Sequence, residues 1–93
     1  MPYIKKDDRS RLDPCIETMI SSIKNDNDLH KILGDINYCF SRVCSGVMGE
    51  VSYSKVAMIT GVLENIKQEF YRRVAGPYED KKIIENGDIK EYS

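Results

Sequence analysis

The stretch SKVAMITGVLENIKQEFYRRVA, residues 54–75, decides the fold. Val56, Ile59, Leu63, Ile66, Phe70 and Val74 recur in it at spacings of three, four, three, four and four residues. That period puts the six side chains on one side of an α-helix and comes close to a heptad repeat. A strand would need alternation at every second residue, which is absent. A helix over 55–75 would be about 30 Å long at a rise of about 1.5 Å per residue. Gly61 sits inside it, at a cost of about 1 kcal/mol relative to alanine. Ala57 lies one turn earlier on the same side. The pair reads equally well as a place where another backbone comes close and as a tolerated weak point. Gly76-Pro77 then breaks or kinks the helix, because proline lacks an N–H and its ring collides with the carbonyl four residues back. A further helical piece is predicted over 78–86, with Pro77 in its first turn and Gly87 as its stop.

Working towards the N-terminus, Ile36, Cys39, Phe40, Val43 and Val47 again follow a helical period, and Asp35 is placed to cap that helix. Before it, Asn25-Asp26-Asn27-Asp28 offers caps for a short helix over 29–33, with Gly34 as its stop. Ile16, Met19, Ile20 and Ile23 form the stripe of a first helix that opens at Asp13-Pro14. Asp7 and Asp8 suggest a helical turn ending near Arg11. The fold class predicted is all-α: a small helical bundle in one domain, 1–93. An N-terminal arm (1–12, extended at Pro2 to Ile4) precedes the helices, and a frayed tail (88–93) follows them.

Composition narrows the function classes. The chain has 93 residues, a formal net charge of −1 and 31% charged residues. That balance supplies no general attraction to nucleic acid or to an anionic membrane, and no basic stripe marks a DNA-reading helix. No apolar run reaches the roughly 20 residues needed to span a bilayer. The opening MPYIKKDDRSR lacks the apolar stretch of a secretion signal, so a cytoplasmic setting is expected. Cys15, Cys39 and Cys44 are odd in number and lack C-x-x-C spacing, and His30 is the only histidine. Buried, reduced thiols are expected, with no disulfide framework, no metal and no cofactor.

No catalytic set assembles. A Ser-His-Asp arrangement has only His30 to draw on, and no phosphate-cradling or dinucleotide-binding glycine motif is present. Glu64 and Glu69 are five apart and do not share a face well, which leaves a metal-dependent nucleotide hydrolase as a thin alternative. The polar groups that stand out are two. Asn37 and Ser41 lie one turn apart, as do Tyr38 and Arg42. Further on, Glu64 precedes Gln68 and Glu69 precedes Arg73 by one turn, with Tyr71, Arg72 and Tyr78 close by. The plain reading of both groups is a solvated helix face. The functional reading is an anion site. Arg42, Arg72 and Arg73 would hold phosphate through planar forks, Tyr38, Tyr71 and Tyr78 would stack on a ring, and Asn37 would read a polar edge.

Residues 59–88, ITGVLENIKQEFYRRVAGPYEDKKIIENGD, resemble the C-terminal signature of small phage and prophage proteins that form a domain of unknown function. Pro2 to Arg9, Leu12 to Pro14, and Asp35 to Tyr38 with Ser41-Arg42 are similar to that family's opening and middle blocks. The family pattern carries another hydrophobic residue where this chain has Ala75-Gly76. The resemblance brings no chemistry, but it implies a phage setting in the host cytoplasm. Small helical phage proteins include oligomers that sequester nucleotide signals in counter-defence. By that analogy the leading expectation is an oligomer, dimer or higher, that captures a small phosphate-bearing ligand such as a cyclic nucleotide. The other expectation is a protein–protein interaction module, either an inhibitor of a host protein or an assembly component.

Overall fold

The computed structural model describes residues 4–25 and 27–93. The extended arm expected at Pro2 to Ile4 lies almost wholly outside them, as does Asp26 in the predicted capping run. The described residues form four α-helices: α1 (Asp13–Lys24), α2 (Leu29–Met48), α3 (Tyr53–Phe70) and α4 (Gly76–Asn86). They hold no strand. The architecture is all-α. The chain divides into two compact units, Met1–Glu50 and Val51–Ser93.

In the first unit a 3-10 turn, Lys6–Arg11, leads into α1 and packs against it. Asp13 is the first helical residue, and the N-cap position falls to Leu12, which makes no side-chain cap bond. The missing N–H of Pro14 costs nothing in this first turn. Cys15 Sγ donates to Leu12 O at 3.0 Å, and Thr18 Oγ1 donates to Pro14 O at 3.0 Å. After the turn, Asp28 caps α2 by accepting from the His30 N–H at 3.0 Å. α1 and α2 pack together. Their half-buried residues include Met19 and Ile23 on α1, and Ile32, Cys39, Cys44 and Met48 on α2.

Here the reading of two helices parted at Gly34 is corrected: α2 runs unbroken from Leu29 to Met48. The physical reason lies in the phase of the apolar residues. Leu29, Ile32, Ile36, Cys39 and Val43 continue at three, four, three and four across Gly34, so one face is served by one helix. Asp35, expected as a cap, pairs with Lys31 across the glycine at 3.7 Å. The glycine that does end α2 is Gly49, at φ 66°.

In the second unit α3 begins at Tyr53, two residues ahead of the 55–75 span read from the sequence. Ser52 caps it, its Oγ accepting from the Lys55 N–H at 3.2 Å. At the far end the expected kink is a turn of π-helix, Tyr71–Ala75, joining α3 to α4. The Gly76 N–H donates to Tyr71 O, five residues back. Pro77 accounts for this: it cannot donate, and its ring would strike the Arg73 carbonyl in a regular α-helix. The one-residue slip in the apolar spacing, Phe70 to Val74, falls inside this wide turn. Gly87 ends α4 at φ 82°, and the tail read as frayed forms a 3-10 turn, Lys90–Tyr92.

None of the described residues is buried. In the second unit α3 and α4 do not pack side by side, each meeting only the π turn between them. The α3 stripe is therefore open, with Leu63 43% and Phe70 64% exposed. No helix among the described residues is long and apolar enough to cross a membrane.

Candidate functional site

Asn37, Tyr38 and Arg42 belong to the first unit, and Tyr71, Arg72, Arg73 and Tyr78 to the second. The four pairs expected one turn apart all form. Ser41 Oγ donates to Asn37 Oδ1 at 3.3 Å, and the Arg42 guanidinium lies 6.0 Å from the centre of the Tyr38 ring. Gln68 Nε2 donates to Glu64 Oε1 at 3.2 Å, and Arg73 Nε meets Glu69 Oε1 at 3.2 Å.

Arg72 was expected beside Arg73 as a second phosphate fork. Its Nη2 reaches the other oxygen of the same carboxylate, Glu69 Oε2, at 3.4 Å. The two arginines thus converge on one acid. Both are more than half exposed. Exposed pairs of this kind contribute only about 0.2–1 kcal/mol. A phosphate forming charge-assisted bonds of about 1.5–3 kcal/mol each could displace them. Tyr71 stands exposed on the π turn. The Tyr78 ring already carries a cation, since Lys82 Nζ lies 5.6 Å from its centre and also meets Glu85 Oε2 at 3.0 Å. A base stacking on that face would have to displace the ammonium.

The first unit adds something the sequence did not mark. A shallow hollow of about 300 Å³ opens between α1 and α2, lined by Met19, Tyr38, Cys39, Arg42 and Val43. Tyr38 and Arg42 were singled out from sequence. Met19, Cys39 and Val43 were read only as stripe residues, and their shared wall comes from the packing of α1 on α2. A second hollow of about 310 Å³ is lined by residues from the end of α4 and the segment after it, among them Lys82, Ile83, Ile89 and Tyr92. Among the described residues, no three histidine, cysteine or acidic side chains gather as a metal-holding group. Cys15, Cys39 and Cys44 are free thiols, but the burial expected of them is corrected: Cys15 is exposed and the other two are half-buried, because two packed helices cover little surface.

Residues 1–89 match the model of a domain of unknown function, DUF6899. The chain belongs to this family. The match covers all four helices of the DUF6899 chain, the hollow and both arginine groups. No curated protein and no solved structure matches it.

Proposed function

We propose that this DUF6899 chain works by binding other protein chains, copies of itself foremost. One observation carries the reading: the apolar stripe of α3 lies open in a unit that has no second helix packed beside it. Val56, Leu63 and Ile66 are each about half exposed, and Phe70 is 64% exposed. Full burial of one such side chain contributes about 1.5–3 kcal/mol, so covering these four would add roughly 3–6 kcal/mol. That is comparable with the whole stability of a small domain, about 5–15 kcal/mol. The near-heptad spacing of the stripe suits a partner helix lying along it. Light scattering on the purified chain tests the reading. A mass of at least twice 10.7 kDa is expected, and a single 10.7 kDa species at all concentrations would refute self-association.

A second reading is capture of a small phosphate-bearing ligand such as a cyclic nucleotide, in the host cytoplasm if the chain is phage-encoded and serves counter-defence. The exposed Arg72–Arg73 pair, held by a single shared carboxylate, favours it. A ligand at 100 times its dissociation constant stabilises a fold by about 2.7 kcal/mol. Thermal unfolding against a nucleotide panel tests this, and a transition that none of them moves counts against capture.

A further inference from the structure

We propose that the hollow between α1 and α2 binds a small organic anion with a flat apolar body, the size of a single-ring aryl phosphate or carboxylate. It rests on the capture reading only in its ligand chemistry, places the ligand in the first unit apart from Arg72 and Arg73, and is independent of self-association.

Charge is the first argument. Arg42 has Tyr38, Cys39, Ser45 and Gly46 one turn away on α2, none of them acidic. Around Met19 the corresponding residues of α1 are Cys15, Ile16, Ser22 and Ile23. The nearest acid of α2, Asp35, is paired with Lys31 at 3.7 Å. The lining of the hollow therefore carries one charge, and it is positive. The Tyr38 ring, 6.0 Å from the Arg42 guanidinium, adds a weak attraction that favours this side-chain position over the hollow.

The walls supply the second argument. Met19 and Val43 are apolar, and Cys39 adds a soft, polarizable thiol. A bare inorganic anion would gain nothing from them, whereas a ring would. Size is the third. A volume of about 300 Å³ stands at the bottom of the usual ligand-pocket range of about 300–1,000 Å³. It gives room for one ring and its anionic group, with one side open to solvent.

The test is a titration of the full chain, labelled at its methionine methyls, with phenyl phosphate followed by nuclear magnetic resonance. The Met19 methyl should shift saturably while the Met58 methyl, on α3, stays in place. Inorganic phosphate has the charge without the ring, and benzyl alcohol has the ring without the charge. Each should bind at least about tenfold more weakly. Arg42→Gln should weaken phenyl phosphate roughly ten- to hundredfold, the loss of one charge-assisted contact, with far-ultraviolet circular dichroism unchanged. If that variant loses helicity, Val43→Gln takes its place. It must weaken phenyl phosphate and leave inorganic phosphate as it was. An unmoved Met19 methyl, equal affinity for inorganic phosphate, or undiminished binding in Arg42→Gln would overturn the proposal. A Met19 methyl unmoved by phenyl phosphate, beside a nucleotide that binds through Arg72 and Arg73, would overturn the proposal and keep the capture reading.

Discussion

Replacing Gly34 by alanine should make the protein more stable. Gly34 lies in the interior of α2, at a negative φ, and a Cβ built there meets nothing within 4 Å. Steric cost is therefore absent, and the intrinsic gain of alanine over glycine in a helix, about 0.8–1.0 kcal/mol, should appear almost in full. For a chain of this length a change of 1 kcal/mol moves the midpoint of thermal unfolding by about 4–8 °C. Gly49→Ala supplies the opposite sign. Gly49 also meets nothing within 4 Å, but its φ of 66° is a conformation that a Cβ makes costly. With ψ at −124° the backbone lies outside even the left-handed helical well, and destabilisation of about 1–3 kcal/mol is expected there. The assay is thermal unfolding by circular dichroism at one fixed protein concentration, because any association makes the midpoint depend on concentration. A lower midpoint in Gly34→Ala would refute the continuous α2 and restore a chain that turns at Gly34.

Three other outcomes follow from the same structure. Ser52→Ala removes the side chain that accepts from the Lys55 N–H and should cost about 1 kcal/mol, with exchange quickening at the first amides of α3. Pro77→Ala restores a donor and removes the clash behind the π turn, so the helix should return to regular α geometry between Phe70 and Gly76. Carbon chemical shifts across residues 71–76 would reveal this, and an unchanged wide turn would clear Pro77 of causing it. Glu69→Gln releases Arg72 and Arg73 from their shared carboxylate. Stability should change by no more than about 1 kcal/mol in denaturant unfolding. Affinity for any phosphate ligand held by those arginines should rise, and a fall would show that Glu69 positions them for binding.

What the sequence made legible was whatever helix geometry alone dictates. Once residues 35–47 and 54–75 are helical, side chains four apart must meet. Asn37–Ser41, Tyr38–Arg42, Glu64–Gln68 and Glu69–Arg73 were readable for that reason. Glycine was legible only in part, because it stops a helix where the chain needs a positive φ. Gly49 and Gly87 meet that need and Gly34 does not, yet the three look alike in a sequence. Ser52, which caps α3, lies two residues ahead of the apolar stretch and was not marked by the helical period. The slip from Phe70 to Val74 was in view beside Pro77, but the wide turn that absorbs it shows only in the backbone bonds. The hollow stayed hidden for another reason. Met19 reaches Cys39 and Val43 only once α1 lies on α2, and that pairing depends on contacts distant in sequence.

Sedimentation equilibrium of the wild-type chain beside Leu63→Glu puts the role of the α3 stripe most directly at risk. Leu63 sits mid-stripe and 43% exposed, so a carboxylate there is harmless to a helix facing water and severe for one lying against a partner. The account predicts an assembled wild type and a variant that sediments as single chains with its helix content intact. Two samples of identical mass would contradict it.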